Sequence, residues 1–292
     1  GRDLYETYPA FRSVFESAKV DFDLEKVCFE GPDETLNQTQ YTQPCMVAFA
    51  TGVTEVLQEK GVRPSVTAGL SLGEYSALHA SGVLDPATAI ELVAFRGKAM
   101  AEAVQGRLSA MAAIFMLGRE ELQACCDAAS HLGVAEIANL NCPGQIVIGG
   151  DALAVEEAGC LALEAGARRV IPLKVSGPFH TSLMAPAGRA LEERLKGVEF
   201  GPMEVPTLFN CLGGPMREGD TIPGLLVRQV QNSVHMEDSI RFLEAQGVDT
   251  VVEIGPGKAL SGFVKKTAKG IKTYAVETAE DLEHVVSVLK GA

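Results

Sequence analysis

The sequence predicts an α/β fold: a mainly parallel sheet covered by helices on both faces and interrupted by a smaller inserted unit. Three observations lead there. Short apolar runs bounded by glycine or proline alternate with stretches of helical periodicity along most of the 292 residues. Between residues 107 and 175 the rhythm changes to strand, helix, strand, strand, helix, strand, the order of a ferredoxin-like split βαββαβ unit. And 47% of the residues are hydrophobic, enough for a large core.

Taken in order, apolar spacing predicts helices over 3–19 and 43–60. "PSVTAG" (64–69) reads as a short buried strand, followed at once by a helix in "LGEYSALHASG" that Gly82 closes. A further helix is expected over 86–104. In the insert, "SAMAAIFML", "VAEIANLN", "GQIVIGG" and "RRVIPLKV" read as strands, and "REELQACCDAA" and "DALAVEEAGCLALEAG" as helices. Gly106 and Gly177-Pro178 suit its edges. The expected organisation is therefore a discontinuous core, 1–106 with 176–292, around a subdomain at 107–175. After the insert, "GPFHTSLM" is a loop leading into a helix at 184–196 and "VPTLFN" is a strand. "IPGLLVRQVQ" and 238–246 read as helices, and "DTVVEIGPG" as a buried strand and turn. The pattern ends with a helix at 258–268, a strand in "IKTYAVE" and a helix in "DLEHVVSVLK".

Composition excludes several classes. A net charge of −13 argues against general nucleic-acid binding, which needs a basic surface. No apolar run reaches the length of a membrane span, and "GRDLYETYPAFRS" lacks the basic-then-apolar layout of a signal peptide. The seven cysteines form no C-x-x-C pair and the five histidines no H-x-x-x-H spacing. Buried free thiols in a reducing cytoplasm, with no metal or redox cofactor, are the expectation.

One short stretch, "TAGLSLGEYSAL" (67–78), carries chemistry. Ser71 lies in a G-x-S-x-G frame where a strand turns into a helix. A nucleophilic serine needs such a sharp turn to expose its hydroxyl, and glycines at 69 and 73 would remove clashing side chains. The helix N-terminus would face a developing oxyanion, with the Leu72 N–H as one donor. The bland alternative is Ser71 as a helix N-cap. A serine also needs a base. Of His79, His131, His180, His235 and His284, only His180 stands in a loop that follows a strand, in "SGPFHTSLM".

The ordered blocks "GLSLGEYSAL", "RGKAMAEAV", "SAMAAI", "NCPGQIVIGG", "VSGPFHTSLM", "VRQV" and "EIGPGKALSGF" span nearly the whole chain. Together they resemble the acyltransferase family of fatty acid and polyketide synthesis, which includes the malonyl-CoA:acyl carrier protein transacylases. The resemblance implies a hydrolase-like α/β core with a ferredoxin-like insert. It implies Ser71 as acyl-accepting nucleophile, His180 as base, and Arg96 as the group that binds the malonyl carboxylate. It also implies that Gln229 offers a backbone carbonyl to the His180 ring, that Asn141 lies close to the site, and that Phe179 leaves little room for an α-methyl group. The implied reaction moves a malonyl group from malonyl-CoA to the phosphopantetheine thiol of acyl carrier protein through a malonyl-serine ester. A planar, permanently charged guanidinium can grip a carboxylate through two parallel bonds, which suits Arg96 to its part. The acidic carrier protein would need a local basic patch, and "KKTAKGIK", with Lys265 and Lys266, offers one. Two departures stand out. Leu70 occupies the place before the serine where the family usually has histidine. The family's opening strand and its Gly-Gln-Gly segment, source of a second oxyanion donor, have no counterpart before "GRDLYE", so the first strand is expected to be missing. A serine esterase or thioesterase with the same elbow, and an inactive truncated module, remain open alternatives.

Overall fold

Pro9 breaks the first expected helix in two. The computed structural model describes residues 1–291 and begins with α1 (Arg2–Thr7) and α2 (Pro9–Ser17). Tyr8 between them is extended, because the ring of a following proline disfavours the helical region. Two short helices that the sequence pattern does not predict follow, α3 (Leu24–Glu30) and α4 (Asp33–Leu36). Then come α5 (Thr39–Glu59), β1 (Thr67–Ala68), α6 (Gly73–Ala80) and α7 (Pro86–Ala103). The 107–175 stretch forms β2 (Ser109–Phe115), α8 (Arg119–Ala129), β3 (Ala135–Cys142), β4 (Gln145–Asp151), α9 (Ala152–Glu164) and β5 (Arg169–Pro172). The chain continues through α10 (Ala185–Leu195), β6 (Thr207–Leu208), α11 (Ile222–Val230) and α12 (Met236–Ala245). It ends with β7 (Thr250–Ile254), α13 (Ala259–Thr267), β8 (Lys272–Val276) and α14 (Ala279–Lys290). This is a mixed α/β fold with parallel sheet elements. No helix among the described residues is long and apolar enough to cross a membrane.

The chain divides into two compact units. One comprises 1–97, 199–208 and 243–292; the other comprises 98–198 and 209–242. In the first, β1 pairs in parallel with β6, and β7 with β8. The β1 ladder is only two residues long, Thr67 opposite Thr207 and Ala68 opposite Leu208, and the two threonine hydroxyls meet at 2.9 Å. Around it α5 carries a buried face of Val47, Ala48, Val53 and Val56. Gly52 on that helix admits the Phe11 ring, which would stand 2.7 Å from a Cβ there. Phe11 in turn stacks on Phe15 and meets Phe49 edge-on, so aromatic packing fastens α2 to α5.

The same unit holds the strand-to-helix turn. Gly69 follows β1, and a Cβ on it would lie 2.0 Å from the Gly73 carbonyl oxygen. Gly73 has open space where its Cβ would be, so only the first of the two glycines is required by sterics. Elsewhere in the unit, the buried carboxylate of Glu253 on β7 accepts from the backbone N–H groups of Leu260 and Ser261 at 3.0 and 2.8 Å. It caps α13, whose own N-cap Lys258 makes no side-chain capping bond.

In the second unit the strands form an antiparallel sheet in the order β3-β4-β2-β5. Its alternation divides residues between two faces. Ala112, Ile114, Ile146 and Ile148 face the cluster built by α8 and α9. Met111, Ala113, Ala138 and Val147 form the opposite face, against which Phe115, Leu173 and Phe179 pack. All seven cysteines are free thiols; Cys45, Cys125, Cys126 and Cys142 are buried as expected, whereas Cys160 is exposed.

Two outcomes follow for stability, both read by urea unfolding. Gly69→Ala destabilises by more than about 2 kcal/mol, because backbone must move, while Gly73→Ala stays within about 1 kcal/mol of wild type. Glu253→Ala costs about 1–3 kcal/mol through the lost caps, and Glu253→Gln less.

Candidate active site

Ser71 sits three residues past β1 and two before α6, with φ at +55°. That is the left-handed region, unusual for a residue with a Cβ, and strain of this kind persists only where the surroundings impose it. Successive backbone bonds wind the turn: Gly73, Glu74 and Tyr75 donate to Leu70, Ser71 and Leu72 at 2.9, 3.1 and 3.1 Å. The Leu72 N–H is not among these donors. Leu72, rather than Ser71, is the N-cap of α6, and no side chain caps that helix. The N-cap reading of Ser71 is thereby corrected. Its half-buried hydroxyl accepts instead from Arg96 Nη2 at 3.0 Å.

Arg96 projects from α7 and is 1% exposed. Its Nη1 donates to Gln43 Oε1 on α5 at 2.7 Å. Its guanidinium carbon lies 5.9 Å from the centre of the Tyr75 ring. Burial pulls the guanidinium pKa down, and neighbouring Tyr75 and Glu74 act in the opposite direction. Arginine starts so far above neutrality that it stays charged. The same burial raises the Tyr75 hydroxyl pKa. Gly97, next in α7, allows the close approach: a Cβ there would stand 2.8 Å from the Thr39 carbonyl oxygen at the start of α5.

The second unit holds His180, Gln229, Asn141 and Phe179. His180 has φ at +62° and is 4% exposed. Its Nδ1 lies 2.8 Å from the Gln229 carbonyl oxygen. A carbonyl can only accept, so Nδ1 carries the proton and Nε2 is left with its lone pair. Gln229 is in the last turn of α11, where carbonyls lack intrahelical partners. The fold thus uses a helix end to fix the imidazole. The loop around His180 is tied down further. Thr181 Oγ1 donates to the Pro178 carbonyl at 2.6 Å. The Ser182 N–H and hydroxyl both donate to the Glu136 carboxylate on β3 at 2.7 Å. Phe179, half-buried, packs on the sheet face that bears Met111 and Ala113.

Asn141 is buried where the β3–β4 register shifts between Leu140 and Cys142, and its Oδ1 has no hydrogen-bond partner. The other histidines are engaged elsewhere. His79 is held by the Leu84 carbonyl at 3.0 Å and the Glu55 carboxylate at 3.2 Å, and burial lowers its pKa. His131 meets the Ala128 carbonyl, His235 the Asp238 carboxylate, and His284 the Tyr274 ring. Lys265 and Lys266 are exposed in the last turn of α13. Sequence reasoning missed Gln43 and Glu136. The available signal was a polar residue in an apolar helix face for the first, and a lone acid in an apolar strand for the second.

With this geometry in place, comparison with known proteins is informative. Residues 1–287 match the family model described as "Acyl transferase domain". The malonyl CoA-acyl carrier protein transacylase of Bacillus subtilis (strain 168) is 44% identical over 293 residues, covering 99% of this chain and 92% of that protein. The crystal structure of MCAT from Streptococcus pneumoniae superposes with a TM-score of 0.93 at 43% identity, covering 99% of this chain and 94% of that one. A type II PKS acyl-carrier protein in complex with its malonyl-transacylase matches with a TM-score of 0.93 at 38% identity, covering 100% of this chain and 94% of that one. The chain belongs to the acyl transferase domain family.

Proposed function

We propose that this protein transfers the malonyl group of malonyl-CoA to the phosphopantetheine thiol of acyl carrier protein, in fatty acid biosynthesis, through an ester on Ser71. The observation that carries the reading is the 3.0 Å hydrogen bond from Arg96 to the Ser71 hydroxyl. A buried cation beside the nucleophile suits an acyl donor with a free carboxylate, and an esterase would have no use for one. The names of the relatives support the same substrate and acceptor.

In the first step His180 Nε2 takes the Ser71 proton as Oγ attacks the thioester carbonyl. The Leu72 N–H stabilises the tetrahedral oxyanion. The carbon–sulfur bond breaks, CoA leaves as the thiol with the proton from His180, and malonyl-serine remains. In the second step His180 takes the proton of the carrier-protein thiol, whose sulfur attacks the ester. The serine oxygen departs with that proton. The Gln229 carbonyl holds the required tautomer throughout, where a carboxylate serves in a triad. Arg96 grips the malonyl carboxylate through paired bonds. Asn141 and Phe179 are assigned to substrate contact, Phe179 restricting the space for an α-methyl group. We read 107–175 as a ferredoxin-like subdomain inserted into a hydrolase-like core of 1–106 and 176–292. The protein would work in the cytoplasm, where its substrate and carrier are made.

Intact-mass measurement after mixing with malonyl-CoA tests the chemistry. Wild type gains a malonyl adduct and Ser71→Ala gains none; an adduct on Ser71→Ala removes the assigned nucleophile. Arg96→Ala lowers kcat/KM for malonyl-CoA by roughly 100-fold, the worth of a charge-assisted pair, while acetyl transfer does not fall with it. Release of free malonate with no carrier-protein product would favour the hydrolase instead. For docking, the double charge reversal Lys265→Glu with Lys266→Glu raises the carrier-protein KM and leaves the malonyl-CoA KM in place.

A further inference from the structure

Gln43 belongs to no part of the chemistry above, yet it makes the shorter of the two hydrogen bonds that Arg96 donates to Gln43 and Ser71. The pair is buried, Gln43 being 4% exposed and Arg96 1%. The bond from Nη1 to Oε1 is 2.7 Å and the bond from Nη2 to the serine hydroxyl 3.0 Å. An arginine side chain has four rotatable bonds before its plane, so an unrestrained guanidinium could serve a carboxylate from many positions. Here one corner is pinned. The pinning is itself set by backbone packing, because Gly97 lets α7 come close enough to α5 that a Cβ would meet the Thr39 carbonyl oxygen at 2.8 Å and Gln40 Cα at 2.9 Å.

We propose that Gln43 is the positioning residue that makes Arg96 selective for a carboxylate one methylene away from the reacting carbonyl. Gln43 acts through Arg96 rather than on the acyl group itself. By holding Nη1 it fixes the distance between the guanidinium and Ser71 Oγ. Malonyl places its carboxylate a single methylene from the thioester carbon, so the cation must lie beside the attacking oxygen to reach it. The 3.0 Å contact to Ser71 sets that reach. When the carboxylate arrives, the Nη2 end exchanges the hydroxyl for it, and Nη1 stays on Gln43. A neutral amide suits this part. A carboxylate at 43 would hold the guanidinium more tightly but would also neutralise it, and the substrate's negative charge would be refused.

This inference rests on the acyl-transfer reading, and the experiment separates the two. Acylation of Ser71 is followed by stopped-flow and intact mass with malonyl-CoA and with acetyl-CoA, in wild type, Gln43→Leu and Gln43→Glu. In Gln43→Leu the malonyl rate constant is expected to fall roughly 10–100-fold, the worth of a hydrogen bond to a charged group. The acetyl rate constant stays within about threefold of wild type, because the nucleophile is untouched. In Gln43→Glu the malonyl rate constant falls as well, because the carboxylate neutralises the guanidinium, and the acetyl rate constant again stays within about threefold of wild type. Should Gln43→Leu fail to fold, Gln43→Glu decides alone through its ratio of malonyl to acetyl rate constants. A parallel loss of malonyl and acetyl transfer, or an unchanged ratio between them, overturns the positioning role. No malonyl adduct on the wild type would instead overturn the proposed function itself.

Discussion

A buried guanidinium between a serine and a glutamine is the interaction on which the proposed site depends. Removing a charge from water is costly unless hydrogen bonds replace the lost hydration. Arg96 meets that condition by donating to acceptors on Ser71 and Gln43, with the Tyr75 ring nearby. Three helices, α5, α6 and α7, each contribute one of these groups or the residue next to it. Their approach has to be close, and the two glycines that sterics demand stand where it is closest. Gly69 clears the turn into α6, and Gly97 clears the contact of α7 with α5. The strained φ of Ser71 belongs to the same arrangement. A relaxed serine would not be held at one point relative to a cation that is itself held at one point.

The other unit solves a different problem with the same economy of groups. A given ring nitrogen of an imidazole can accept a proton only when the other carries the hydrogen, and a helix end selects which one does. The Gln229 carbonyl lies in the last turn of α11, where intrahelical partners run out, and the His180 ring satisfies it. The loop that carries His180 rests on the sheet face left uncovered by α8 and α9. Phe179 supplies the apolar contact there, and Glu136 supplies the polar one through Ser182. Alternation along β2 therefore assigns its two faces to different neighbours, helices on one and the loop on the other.

Much of this was legible in the chain. The G-x-S-x-G frame after an apolar run located Ser71, the loop position of His180 set it ahead of four other histidines, and the order of elements between 107 and 175 appears in the fold. Element boundaries were less legible where proline and long-range pairing intervene. Pro9 splits the first helix, and the strand read over 64–69 keeps only the two residues that find a partner in β6. The segment of α3 and α4 carries too little periodicity to be read as helical, and it is held by capping, as at Asp23, and by packing against α5. The frame alone also suggested that both of its glycines are needed, whereas Gly73 faces open space.

By itself, then, the sequence determined the α/β class, the turn that holds Ser71 and the loop that holds His180, because periodicity, glycine placement and a hydroxyl between strand and helix are local properties. The tertiary structure alone decided that the Ser71 hydroxyl meets Arg96 and not the end of its own helix, and that Gln43 stands behind the arginine. Those contacts join residues 25 and 53 positions apart, and no local pattern encodes them. They follow from how closely three helices can approach once their glycines let them.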